Sequence, residues 1–506
     1  MKIGIRLTAL LFCLVFLCTG LAACKSGNGE GGETTKKSGE IVNPGGQDDK
    51  VYDNDFGGKI FTICNSVNES LGYTTSNSLI QGPETLTDGA EAKVFQRNAW
   101  MEEKLKMSFQ YKNVNVGYAS VAETLRPRLM NGDAVDLYIN KLYPMASLSL
   151  EGWFANIANQ PELQYFEDYW YSDYMNGLSL DEGNNAYLLA GDYFMDIIQS
   201  SAVLFCNTSI LDEVYSAKGG TDAFINDVFD GKWTYEVMAE LVADAYFDAD
   251  GNGSVNNGDR MGFSCDQIWG DLIPMVTSAN LKYIEKDGSD WKLAINNDDS
   301  LALFDILRTM LYGKGTTPMN KTTELVYASA FETEALPYFL NKNALFTAGR
   351  FAKMSQVAAV KMDWTVIPYP KLKEAQSGYV TPTHDTTELG AIPRTCGDLS
   401  TVLTMLEILS ERTHALVMPE YYDRTLKSRY SQDPTTAKLV DLVHNTMGGA
   451  FTMAYSNYCG DIFVWKAFYE PLYNGQEFTS SYRGFETAGN SYIATMLDQW
   501  KKISKS

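Results

Sequence analysis

Oxygen-bearing side chains recur at alternate positions through residues 248–259, DADGNGSVNNGD. Asp248, Asp250 and Asn252 fall at positions 1, 3 and 5 of a twelve-position calcium loop. Gly253 is at position 6, where the chain must turn sharply, Ser254 at 7, Asn256 at 9 and Asp259 at 12. Hard oxygen donors around a tight turn suit a hard divalent cation, so a structural calcium ion is expected on Asp248, Asp250, Asn252, Ser254, Asn256 and Asp259. Asp259 stands where Glu is usual, and its shorter side chain reaches an ion less readily. Weaker affinity, magnesium or water is one alternative. An Asx-rich turn that satisfies its own backbone is another. No second loop of this kind occurs, so a paired EF-hand and a two-loop dockerin are excluded on count.

The elements that must position such a loop are legible on either side. Thr234 is an N-cap, Glu236 suits the first turn, and Val237, Leu241, Val242 and Ala245 recur at helical spacing, giving a helix over 234–246. Earlier in the chain, strand patterns at 59–64, 107–111 and 136–140 alternate with helical patterns at 88–106 and 120–130, the latter softly broken by Pro127. That alternation predicts a mostly parallel sheet covered by helices on both faces. Ligands of such sheets collect at the carboxyl ends of strands, which puts Asn65, Ser66, Lys141 and Tyr143 at the edge of a cleft. The apolar run 201–206 reads as a strand leaving this first lobe, with Asp192, Tyr193 and Asp196 at the crossover where a two-lobed protein hinges.

Composition narrows the class. At 506 residues the chain exceeds one core, and two lobes are expected. A net charge of −22 argues against nucleic acid and anionic lipid headgroups as partners. The 30 Tyr, 24 Phe and 9 Trp mostly fill cores, with a surplus available for stacking on sugar rings. Residues 1–23 read as a signal peptide: Lys2 and Arg6 precede an apolar run too short to span a membrane. Its end, Leu21-Ala22-Ala23-Cys24, resembles the lipobox of bacterial lipoproteins, which implies lipid on Cys24 and, with two acyl chains, stable anchoring on the outer face of the cell membrane. Residues 24–50, rich in Gly, Ser and charge, are then a flexible tether. Their GxGxxG at Gly27, Gly29 and Gly32 has no strand before it or helix after it, and is rejected as a dinucleotide motif. Five further cysteines, far apart and odd in number, predict buried small hydrophobes rather than a disulfide framework.

The order of blocks along the chain carries a resemblance. DFGGKIFTI, QRNAWMEEKLKMSF, DLYINKLYPMASLSLEGWFANI, AYLLAGDY, VLFCNTSIL and GKWTYEVMAEL are followed by LNKNALFTAG, DWTVIPYPKLKEAQSGYVTP, AIPRT and MPEYYDRTLKSRY. In this order they resemble the bacterial extracellular solute-binding lipoproteins, family 1, and more narrowly the carbohydrate-transporter branch. The resemblance implies an α/β, two-lobed periplasmic-binding-protein-like fold of type II, with a multi-strand hinge closing on ligand. On that template residues 51–198 and 380–430 form the N-terminal lobe, and 199–379 and 431–506 the C-terminal lobe. It also implies ABC transporter permease subunits as partners, a monomer and no catalysis. The family's acidic and aromatic ligand residues match Asp266 and Trp269 of SCDQIWGD, and a later ligand block matches Arg350 and Phe351 of LFTAGRF. An Arg where Trp or a polar residue is common departs from the pattern, since a guanidinium forks onto a carboxylate as readily as onto vicinal hydroxyls.

The expected function is therefore capture of a carbohydrate, an oligosaccharide above all, for import. Asp192, Asp266 and Arg350 would bind hydroxyls and Trp269 and Tyr143 would stack, with Tyr193, Phe351 and Asn65 completing the cleft. The alternatives are a binding protein for a non-sugar solute, and a lipid-anchored glycoside hydrolase with paired carboxylates. No GxSxG, HExxH or SxxK motif supports an enzyme, and 63 acids make any nominated pair empty of force. A helical-repeat glycan-capture lipoprotein is disfavoured by the early strands and the lack of a repeat. Three widely separated histidines, His384, His414 and His444, give no zinc site.

Overall fold

The computed structural model describes residues 52–67, 80–82, 89–256, 258–265, 269–288, 290–317, 335–384, 386–431 and 433–505. Their eleven strands are β1 (Lys59–Val67), β2 (Met107–Tyr111), β3 (Val114–Asn115), β4 (Leu137–Lys141), β5 (Ala202–Asn207), β6 (Met261–Ser264), β7 (Ile284–Asp287), β8 (Asp290–Leu293), β9 (Ala344–Arg350), β10 (Trp364–Ile367) and β11 (Glu388–Ala391). They make two main sheets and a hairpin. The first sheet runs β11-β4-β1-β2, with β3 beside the end of β1. The second runs β10-β5-β9-β6, and β7 pairs β8.

In the first sheet β2, β3 and β4 are all parallel to β1, as the alternation predicts, and β11 closes the outer edge antiparallel to β4. The crossover helices Ala90–Leu105 and Val121–Asn131 lie where the 3.6-residue apolar period places them. Pro127 does not break the second helix. It runs on to Gly132, whose φ of 67° gives the left-handed cap that donates to the Arg128 and Leu129 carbonyls. β4 is buried at every position, so its side chains must satisfy both faces of the sheet.

The second sheet is mixed. β6 is parallel to β9, while β5 is antiparallel to both β9 and β10. Its core is aromatic: Phe205 and Trp364 meet edge to face at 5.8 Å, and Trp233 packs on Phe224 at 5.0 Å. Thr234 caps the helix Tyr235–Asp244 by accepting from Val237 N, and Val242 on that helix lies hard against the backbone of Gly262 and Gly315. Four of the five cysteines after the tether are buried. No helix among the described residues is long and apolar enough to cross a membrane.

Three strips of chain pass between the sheets side by side. Ala202 N donates to Pro382 O at 2.9 Å and His384 N to Ser200 O at 3.0 Å. Thr381 N donates to Thr446 O at 2.7 Å and Gly448 N to Thr381 O at 2.9 Å. Strips near 200, 382 and 447 thus form a narrow hydrogen-bonded hinge.

Candidate functional site

The carboxyl ends of β1 and β4 meet the start of β11 at one edge, next to this hinge. Glu388 opens β11 directly opposite Lys141, the last residue of β4. Lys141 Nζ lies 2.8 Å from Glu388 Oε1, and the two side chains are 8% and 0% exposed. Ser66 Oγ donates to the same carboxylate oxygen at 3.4 Å. Asp196, the first residue of the short helix Asp196–Gln199, accepts from Glu388 N at 2.9 Å and from Ser200 Oγ at 3.3 Å. Burial pushes the Glu388 carboxyl up to about 7; Lys141 pulls it back and Asp196 pushes it further up.

Polar atoms at this edge lack partners. Among the described residues the Asn65 and Asn140 amides, Glu388 Oε2 and Thr387 Oγ1 are buried and make no hydrogen bond. Most buried polar groups in folded proteins are paired, so a cluster of unpaired ones at the carboxyl edge of a parallel sheet marks a place for a ligand.

The second sheet offers its own edge to the hinge. Arg350 ends β9 opposite Ala202, the first residue of β5, and is half-buried. Beyond β6, Cys265 is tied down by Thr317, whose Oγ1 accepts from Cys265 N at 3.1 Å and donates to Cys265 O at 2.7 Å. A small, shallow pocket is lined there by Cys265, Asp271, Tyr312, Tyr469 and Tyr473 among others. Trp465 stacks on Tyr469 at 4.4 Å, and Tyr469 on Tyr473 at 5.8 Å, so three rings spaced four residues apart form a ladder.

The expected ligand residues fall into three groups. Asn65 is at the polar edge, Tyr143 is in the helix Leu142–Leu150 that follows β4, and Arg350 is at the opposite edge. Tyr193 and Phe351 are each 1% exposed and pack into the core. The Tyr193 hydroxyl donates to Leu189 O and accepts from Gly390 N, both at 2.7 Å, so it braces β11 from within. Asp192 is buried too; it accepts from Tyr171 Oη and faces His414 Nδ1 at 2.6 Å. Asp266 lies outside the described residues, and Trp269 begins the helix Trp269–Ser278. Glu388, Asn140 and the Tyr312 and Tyr473 rings were not singled out from sequence. The signals were an acid directly before the apolar strand LGAI, and the four-residue spacing of Trp465, Tyr469 and Tyr473.

In the acidic loop, the carboxylate oxygens of Asp248, Asp250 and Asp259 come within 4.8 Å of one another. Asp248 accepts from Gly251 N at 2.8 Å, Asn252 N at 3.2 Å and Gly253 N at 2.7 Å, and these bonds hold its carboxyl below the usual range. Asp259, fully buried, accepts from Ala249 N at 3.1 Å and Asn256 N at 3.0 Å. Phe247 and Arg260 exchange backbone hydrogen bonds of 3.0 Å and pinch the loop closed. Gly251 and Gly253, at φ 70° and 76°, make the turn. The donor set fits a hard divalent cation. Cys24 lies outside the described residues.

Two sheets with strand ends turned to a shared three-strip hinge decide the architecture. The fold is that of the two-lobed solute-binding proteins. UspC of M. tuberculosis superposes with a TM-score of 0.53 at 15% identity, covering 86% of this chain and 100% of that one. The galacto-N-biose-/lacto-N-biose I-binding protein of the ABC transporter from Bifidobacterium longum, solved with lacto-N-biose, superposes with a TM-score of 0.51 at 13% identity, over 89% and 99%. No protein-family model matches the sequence, and no curated protein does.

Proposed function

We propose that this chain is the extracytoplasmic substrate-binding lipoprotein of an ABC transporter, which captures a carbohydrate between its lobes and passes it on unaltered. One observation carries the reading: buried amide and carboxylate atoms without partners sit at the carboxyl edge of a parallel sheet, beside a narrow hinge. Sugars present hydroxyl edges and apolar CH faces, and so call for planar polar groups near aromatic platforms. The first sheet supplies the polar groups; the Tyr312, Tyr469 and Tyr473 pocket supplies rings on the second lobe. The sugar-bound binding protein of Bifidobacterium longum with the same fold supports it. Ligand would favour the closed arrangement by contacts made to both lobes at once.

On this reading Cys24 carries the lipid that holds the protein outside the cell membrane, permease subunits are its partners, and it works as a monomer without catalysis. The loop Asp248–Asp259 is proposed to hold a structural calcium ion that fixes the helix Tyr235–Asp244 to β6. Titration calorimetry against a panel of neutral oligosaccharides tests the central claim, with small-angle scattering to follow closure. Saturable binding with a compaction of the chain, and recovery of the sugar intact, is the expected result. Release of reducing sugar would instead establish a hydrolase.

A further inference from the structure

The charge of the polar edge selects among sugars, on the reading that the site binds sugar at all. Lys141 is the cation of this edge, and its ammonium is already held 2.8 Å from Glu388 Oε1. Asp196, buried against the same strand, adds a second acid, accepting from Glu388 N at 2.9 Å. Arg350 ends β9, on the other sheet, and has interactions of its own. Among the described residues the edge therefore sets these two carboxylates against the Lys141 ammonium. Its unpartnered atoms are two neutral amides, a hydroxyl and one carboxylate oxygen.

Strand geometry lets these atoms act together. Register places Asn65 beside Ile139 and Gly390, on the face that also carries Lys141 and Glu388. Alternation puts Ser66 and Asn140 on the other face. Ser66 Oγ nevertheless reaches Glu388 Oε1 at 3.4 Å, so side chains from both faces converge past the end of β4. An amide gives and takes hydrogen bonds, as a hydroxyl does, and a free carboxylate oxygen takes them only. A ring hydroxyl satisfies all three groups; an ammonium donates to their oxygens but accepts nothing from the amide nitrogens. A ring carboxylate satisfies the amide and hydroxyl donors but none of the acceptors, and it would face Glu388 and Asp196 beside a Lys141 ammonium that Glu388 already holds.

We propose that Asn65 and Glu388, on one face of the sheet, form a subsite for a sugar ring that is uncharged or carries an amine, and that the same edge excludes rings bearing a carboxylate. The Asn65 amide makes no hydrogen bond among the described residues because its partners belong to the ligand. Burial that raises the Glu388 carboxyl also keeps it available as a hydroxyl partner in either protonation state.

The test uses the full chain and three probe sets in titration calorimetry: neutral trisaccharides, the glucosamine trimer, and trigalacturonate with the uronate counterpart of whichever neutral sugar binds best. Neutral or amine-bearing sugars are expected to bind, and the uronate counterpart to bind about 100-fold more weakly, the size of rejection expected when buried polar groups are left mispaired. Glu388→Gln should shrink that gap by about tenfold. Asn65→Leu should weaken binding of the neutral sugar while leaving the melting temperature of the unliganded protein unchanged or higher, because no hydrogen bond to a described residue is lost. A structural Asn65 would lower it. Uronates that bind as tightly as their neutral counterparts, or an Asn65→Leu chain that melts lower and binds normally, would overturn the inference while leaving sugar capture standing. Failure of every sugar in all three sets would remove both.

Discussion

His414 Nδ1 lies 2.6 Å from Asp192 Oδ2, a carboxylate that is otherwise closed off from water and held from its other side by Tyr171. His414 itself is 47% exposed, so the pair joins a solvent-facing ring to a buried acid. The hydrogen bond to Asp192 raises the His414 pKa, and Asp168 and Glu411 reinforce it. A raised histidine stabilises the fold below its unfolded pKa of about 6.5 and loses that contribution as pH rises through the folded value. The melting temperature should therefore fall between mildly acidic and mildly alkaline pH, and His414→Gln should flatten the fall. Thermal melts across that range check it, with the His414 ring titration followed by NMR.

Glu388 titrates with the same sign in a lower window. Its folded pKa is raised from the model-peptide range to about 7, mainly by burial. The protonated form is thus favoured by folding, and stability declines from about pH 4.5 up to 7 as the unfolded chain releases its proton first. Glu388→Gln should remove that slope and leave the His414 slope in place. A double variant that still showed both slopes would disprove the assignment.

Glu407 is a buried acid with three donors around it. It accepts from Tyr169 Oη at 2.5 Å, Trp170 Nε1 at 2.8 Å and Gln164 N at 3.2 Å. Glu407→Leu would strand all three, each at a cost of about 1–3 kcal/mol, whereas Glu407→Gln keeps one acceptor oxygen. Denaturant unfolding should rank wild type above Gln and Gln above Leu.

Gly262 is the point where β6 passes the helix Tyr235–Asp244. A Cβ there would stand 2.1 Å from Val242 O and 2.3 Å from Val242 Cα, both backbone atoms that cannot swing aside. Gly262→Ala should cost about 3 kcal/mol or more, at the upper end for overpacking, and Gly258→Ala, which meets only the Asn256 side chain, much less.

Calcium should raise the melting temperature of chelator-treated protein. A concentration 100 times the dissociation constant adds about 2.7 kcal/mol when only the folded state binds. Asp248→Asn should abolish the response. A melting temperature indifferent to both calcium and chelator would leave the loop as a self-satisfied turn.

Much of the frame can be read from local pattern. Thr234 announces its helix by type and position, and the short runs that begin at Met107 and Leu137 mark strands whose neighbours follow from parallel topology. The acidic loop reads directly because all of its donors lie in one short run. The site is harder, since its parts come from distant places in the chain. Asn65 looks promising as a residue after a strand; Glu388 gains its meaning only from pairing with Lys141, far back in sequence. A ring near a hinge can brace the hinge as well as line it, and the partners of the Tyr193 hydroxyl, which sequence does not show, have it bracing β11. The commitment of Asp192 to His414 and Tyr171 depends on tertiary packing.

The antiparallel seating of β11 against β4 has a consequence for the nascent chain. β4 emerges early, yet the strand that covers its outer edge does not exist until residue 388 has been made. Meanwhile every strand of the second sheet has already been synthesised and can pair. The first sheet therefore closes after the second has all its strands, and until then β4 waits with an open edge. Acquisition of the unpaired amides beside Glu388 as a working pocket would be among the closing events of folding.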